Sequence, residues 1–143
     1  MINLHTPVLV AHVLIAVLGL GSIASLAIVS ATARKVGRSS AAVLPLLGPL
    51  LRYGAFSLAA MLGTGILLDI TAGGAFRASW WLRGSALLLV ASGLLHAGVR
   101  RAVRRGLAGE DDGDLILRRV ERIAYGMCAL IAIIVVLMLV KPF

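Results

Sequence analysis

Four apolar runs of about 20 residues, each followed by cations or turn-forming residues, constrain this chain more than any other feature of its sequence. The first runs from Pro7 to about Val29 and stops at Arg34, Lys35 and Arg38, and the second from about Leu50 to Leu68. The third runs from about Trp80 to Val99 and stops at Arg100, Arg101, Arg104 and Arg105; the fourth, from about Ile123 to Val140, is closed by Lys141 and Pro142. At 1.5 Å per residue an α-helix of this length crosses roughly 30 Å of hydrocarbon. It also pairs every backbone polar group within its own segment, which a bilayer requires. Composition agrees: 60% of the residues are hydrophobic and 14% charged, against about 45–50% and 25% in soluble domains. The expected fold is therefore all-α: one integral membrane domain over residues 1–143, a four-transmembrane-helix antiparallel bundle. No basic residue precedes the first run and its cations follow it, the reverse of a secretory leader, so it is read as a retained span.

The cations set an expected orientation. Arg34, Lys35, Arg38 and Arg52 lie between spans one and two, and Arg100, Arg101, Arg104, Arg105, Arg118, Arg119 and Arg122 between spans three and four. Only Arg77, Arg83 and Lys141 fall on the other side. The positive-inside rule then places both termini outside and the basic loops, 30–49 and 100–122, in the cytoplasm, as in a multi-pass protein of the bacterial inner membrane. The net charge of +8 is read as topology and as contact with anionic lipid head groups, worth about 1 kcal/mol per basic residue near the surface. No aromatic interleaving or nucleic-acid-binding signature accompanies the arginines, so no nucleic-acid partner is expected.

Between Arg100 and Arg122 the segment Gly109–Asp114 reads as a polar turn, with Asp114 as N-cap of a helix that enters span four. Arg101, Arg104 and Arg105 are expected on a helical extension at the membrane surface. The acids Glu110 to Asp112 lack the ligand spacing of a calcium loop. Small residues at four-residue spacing (Ala55, Ala59 and Gly63; Gly21 and Ser25; Gly93 and Ala97) mark faces where helices pack closely or meet other subunits. The span-two stretch is expected to begin at Gly48 and Pro49. The lone Cys128 supports no intrachain disulfide.

Polar side chains inside spans are costly and mark function. They are His12 in span one, Asp69 at the outer end of span two, Arg83 and Ser85 near the outer end of span three, and His96 near its inner end. By depth, His12 lies roughly 8 Å and His96 roughly 24 Å below the outer boundary, too far apart to ligate one iron. A His5, His12 and Asp69 cluster has donors suited to copper or zinc. Met1, Met61, Met127 and Met138 show no chelating spacing, and no motif of a serine hydrolase, zinc protease or phosphate loop is present. Chemistry in such a chain belongs to a cofactor.

The spacing from His12 to Gly21, the Thr64–Gly65 pair, the stretch Trp80, Trp81, Leu82, Arg83, Gly84, Ser85 running on to His96, and the terminal Lys141 and Pro142 together resemble a group of small four-helix bacterial membrane proteins. The group includes the haem-bearing membrane protoporphyrinogen oxidase, copper-resistance D-type membrane domains and uncharacterised relatives. The resemblance implies His12 as a ligand of b-type haem. Ser85 stands where the oxidase carries a required lysine, and serine supplies neither cation nor nitrogen ligand. The functional expectation is haem b held by His12, with His96 as a second candidate and Arg83 beside a propionate, in a protein that takes part in membrane electron transfer. The alternatives are a non-catalytic accessory subunit of a larger membrane complex and, third, a copper or small-solute permease.

Overall fold

The computed structural model describes residues 4–37, 39–74, 79–110 and 112–140, the side chain of Leu20 excepted. Arg38, Arg77, Lys141 and Pro142, which carried part of the expected topology, lie outside the described residues. Four helices make up the fold: α1 (His5–Lys35), α2 (Ser40–Thr71), α3 (Trp80–Leu107) and α4 (Gly113–Val140). There is no strand among the described residues, and each helix is long and apolar enough to cross a membrane.

Every helix is longer than its apolar run. With 28 to 32 residues each, they reach about 42–48 Å, well beyond a hydrocarbon core of about 30 Å. The expected loops 30–49 and 100–122 therefore shrink to the short connections 36–39 and 108–112. Gly37 (φ 65°) ends α1 and Gly109 (φ 75°) follows α3, both in the left-handed region that favours glycine. α2 begins at Ser40, well before the Gly48–Pro49 start that the sequence indicated, and carries Pro45 and Pro49 inside it. Each proline removes one backbone donor, while Val43, Leu44 and Leu47 are buried by the extension. The cap of α4 also differs from expectation. Asp112, not Asp114, caps the helix: its carboxylate accepts from the Asp114 N–H at 2.9 Å, and its carbonyl accepts the first helical bond, from the Ile116 N–H.

α1 lies antiparallel to both α2 and α4, and α3 is likewise packed between α2 and α4. Among the described residues the backbones of α1 and α3 stay apart at opposite corners, while those of α2 and α4 approach across the shorter diagonal. The α1–α2 seam has a heptad register. His5 meets Thr71, His12 meets Thr64, and Gly19 faces Ser57, so each step of seven along α1 is answered by seven backwards along α2. A Cβ at Gly19 would come 2.9 Å from that of Ser57, so the seam closes here only on glycine.

The bundle is packed unevenly along its length. Leu26, Leu44, Leu47, Leu51, Val99, Val103, Leu117 and Val120 form one buried core at the arginine-rich end. Part of that core lies in the extensions beyond the apolar runs, where water is the competing environment, and a fully buried aliphatic side chain there contributes about 1.5–3 kcal/mol. Arg34 of α1 and Glu121 of α4 form an ion pair on its rim. Toward the other end the seams carry small and polar residues and a cavity opens, while a second cavity lies along the α2–α3 seam between there and Arg100.

Candidate functional site

His12 is held by a defined hydrogen-bond chain. Its Nδ1 lies 2.7 Å from Thr64 Oγ1, and the Thr64 hydroxyl lies 2.7 Å from the carbonyl of Ala60, one turn back on α2. A hydroxyl has one hydrogen to give. Since a carbonyl only accepts, Thr64 donates to Ala60 and accepts from His12 Nδ1–H. The neutral ring is thereby fixed as the Nδ1–H tautomer, with the Nε2 lone pair left for a ligand.

His12 lines a cavity of about 280 Å³ in the loosely packed half of the bundle. All four helices contribute to its wall, including Met61, Gly65 and Asp69 of α2, Ser85 of α3 and Met138 of α4. Its lining is apolar apart from three side chains: His12, Asp69 and Ser85. Ser85 is 2% exposed and its hydroxyl has no hydrogen-bond partner. Leu62, Ile66 and Ile70 also line the cavity and are themselves exposed, so it opens to the outside of the bundle along α2.

The other expected residues are placed differently. His96 is 3% exposed, and its Nε2–H donates to the carbonyl of Leu51 at 2.7 Å, tying α3 to α2. Its ring lies against Gly54, where a Cβ would stand 2.8 Å from Cε1. His96 lines a second cavity, of about 290 Å³, that shares Leu62 and Leu89 with the first. The two histidines therefore do not meet around one centre. Arg83 is exposed on α3 beside Leu82, a residue of the first cavity's wall, and is not itself part of that wall. His5 pairs with Thr71 at 3.3 Å, two turns from His12. Among the described residues no three His, Cys, Asp or Glu side chains form a metal-holding group, so the structure does not assemble the His5, His12 and Asp69 cluster.

Met61 and Met138 join His12 only in three dimensions, from helices far apart in sequence. Linear spacing therefore gave no sign of them. The role of Thr64 had a readable signal: the histidines at 5 and 12 and the threonines at 64 and 71 repeat with the same seven-residue period. No family model, curated protein or solved structure matches this chain. What fold and site define is a class: a four-helix bundle long and apolar enough to cross a membrane, with a histidine-bearing cavity in its less tightly packed half.

Proposed function

We propose that this protein binds b-type haem through Nε2 of His12 and takes part in electron transfer within the membrane. The observation that carries the reading is the Thr64–His12 hydrogen bond, which presents Nε2 as an uncommitted nitrogen donor in a largely apolar cavity. The donor chemistry fits the group. At about 280 Å³, below the roughly 300–1,000 Å³ typical of small-molecule sites, the cavity takes only the part of the macrocycle that meets His12, and the rest extends through its open mouth along α2. When bound, haem supplies reversible one-electron chemistry. The chain's own residues do the rest: Thr64 orients His12, the apolar wall excludes water, Ser85 offers a buried hydroxyl, and Arg83 supplies a guanidinium for a propionate. His96, which lines the other cavity, stays outside this ligand set.

The reading is tested by the absorption spectrum of protein purified in mild detergent from haem-replete cells, oxidised and then reduced. A Soret band with reduced b-type bands, lost in His12→Ala, is expected. A colourless wild-type protein, or a His12→Ala variant with an unchanged spectrum, overturns it. The proposed setting is the bacterial inner membrane, with both termini outside and the arginine-rich connections against anionic lipid in the cytoplasm.

A second reading, an accessory subunit that packs on copies of itself or on other membrane subunits, is favoured by the exposed glycines Gly63, Gly98 and Gly126. A Cβ at each would meet no atom of this chain within 4 Å, so these smooth faces point outward. A monodisperse monomer in native lipid nanodiscs would count against it.

A further inference from the structure

The small residues of α2 and α3 do not close on one another. Ala55 and Ala59 face Gly93 and Ala97 across the cavity of about 290 Å³, and a Cβ at Gly93 would meet nothing within 4 Å. α2 and α3 are the most loosely joined of the four neighbouring helix pairs. The groove between them opens outward, since Ala59, Leu62 and Val90 of its wall are exposed. Arg100 lines its arginine-rich end, with no carboxylate partner among the described residues. One turn away, His96 also lines the groove, and its buried Nδ1 has no hydrogen-bond partner. With Nε2–H given to Leu51, that Nδ1 is a lone pair in need of a donor.

We propose that this groove holds one anionic phospholipid of the cytoplasmic leaflet, its acyl chain on Ala55, Ala59, Gly93 and Ala97 and its phosphate on Arg100. The dimensions limit the occupant. The groove holds about 290 Å³ and follows α3 from Leu89 to Arg100, a rise of about 16 Å along which an extended acyl chain can lie. A helix of another subunit, about 10–12 Å across with its side chains, does not enter it. The charge selects the head group. Arg100 lies at the end of the third apolar run, at the level of lipid phosphates, and offers the paired donors that a phosphate accepts. The site rests on the proposed membrane orientation and is independent of the haem at His12.

The test is native mass spectrometry of the full chain released from nanodiscs of equal phosphatidylglycerol and phosphatidylcholine. Wild type is expected to retain one phosphatidylglycerol molecule. Gly93→Leu, which fills the groove from open space, is expected to lose it at least about tenfold with unchanged helicity, and Ala59→Leu provides the same obstruction from α2 should the first variant fold poorly. Arg100→Gln is expected to reduce the preference for phosphatidylglycerol about fivefold, the effect of one basic residue at an anionic surface. His12→Ala leaves retention unchanged, which separates this proposal from the haem. Equal retention of the two lipids by wild type, or full retention by both groove-filling variants, overturns it. A dimer that the groove-filling variants abolish overturns it in favour of a second copy of the chain.

Discussion

Nδ1 of His12 and the hydroxyl of Thr64 lie 2.7 Å apart, and because Thr64 spends its only hydrogen on Ala60, the donor in that pair is the imidazole. His5 and Thr71 repeat the arrangement two turns toward the end of the bundle, where Thr71 gives its hydrogen to Leu68. That contact is longer, at 3.3 Å, and of the two histidines only His12 borders the apolar cavity. A shared seam thus produces one peripheral histidine and one that lines a cavity.

Thr64→Val keeps the side chain's shape and removes the acceptor. On the haem reading it is expected to lower haem retention about 10–100-fold, the usual loss when a ligand's supporting hydrogen bond is removed, while Thr64→Ser stays near wild type. Haem content per protein, read from absorbance after dialysis against a haem scavenger, is the measurement. Equal retention in Thr64→Val and wild type would remove Thr64 from the site.

Gly54→Ala tests the contact that locks α2 to α3. The added methyl would meet His96 Cε1 at 2.8 Å and Ser22 Oγ at 3.3 Å, so a buried ring and a buried hydroxyl must both give way. Overpacking of this kind destabilises by about 1–3 kcal/mol. Gly63→Ala is the control, since its Cβ meets nothing within 4 Å and alanine is the better helix former. Thermal unfolding in one detergent should therefore show a lower midpoint for Gly54→Ala and an unchanged or higher one for Gly63→Ala. Equal midpoints would mean that the Gly54 contact relaxes without cost.

The four helices were legible because unpaired backbone in a bilayer leaves few alternatives, and Trp80 and Val140 mark helix ends in both sequence and structure. The extensions past Val29, Val99 and before Ile123 were harder to read. Arginines close an apolar run, but they do not close a helix whose other face carries Leu117 and Val120 into a core. The small-residue ladders misled in a similar way. Ala55, Ala59, Gly93 and Ala97 permit close approach, and whether two helices take it depends on the rest of the bundle, which here leaves a groove. His12 stood out as a polar residue within an apolar run. Its partner Thr64 and its neighbours Met61 and Met138 required the helix register, which depends on pairings across the whole chain.

Asp112→Ala should loosen the start of α4. The carboxylate caps the Asp114 N–H at 2.9 Å, and losing such a cap costs about 1 kcal/mol. Asp112→Asn retains an acceptor oxygen and should stay within a few tenths of wild type. Hydrogen exchange over residues 113–117 is the direct readout: faster in the alanine variant, little changed in the asparagine one. Uniform exchange across all three proteins would show that the buried Ile116 and Leu117 hold the helix end without the cap.

The orientation can be tested on the short connections that the helix extensions leave. Ser39 is exposed between α1 and α2, and Ala72 closes α2 at the opposite end of the bundle. Single cysteines at these positions, in a background carrying Cys128→Ala, are expected to react differently with a membrane-impermeant maleimide. Ala72→Cys should label on intact spheroplasts, and Ser39→Cys only after permeabilisation. The physical reason is the charge imbalance: Arg34 and Lys35 flank the first connection, Arg100, Arg101, Arg104 and Arg105 lead into the third, and Arg118, Arg119 and Arg122 follow it. Holding these cations on the cytoplasmic side is what the positive-inside rule requires. The result also governs both proposed sites. With Ser39 inside, the cavity of His12 lies in the outer half of the membrane and Arg100 meets inner-leaflet phosphates. The reverse labelling pattern would place His12 toward the cytoplasm and leave the Arg100 groove without the anionic leaflet from which its lipid is drawn.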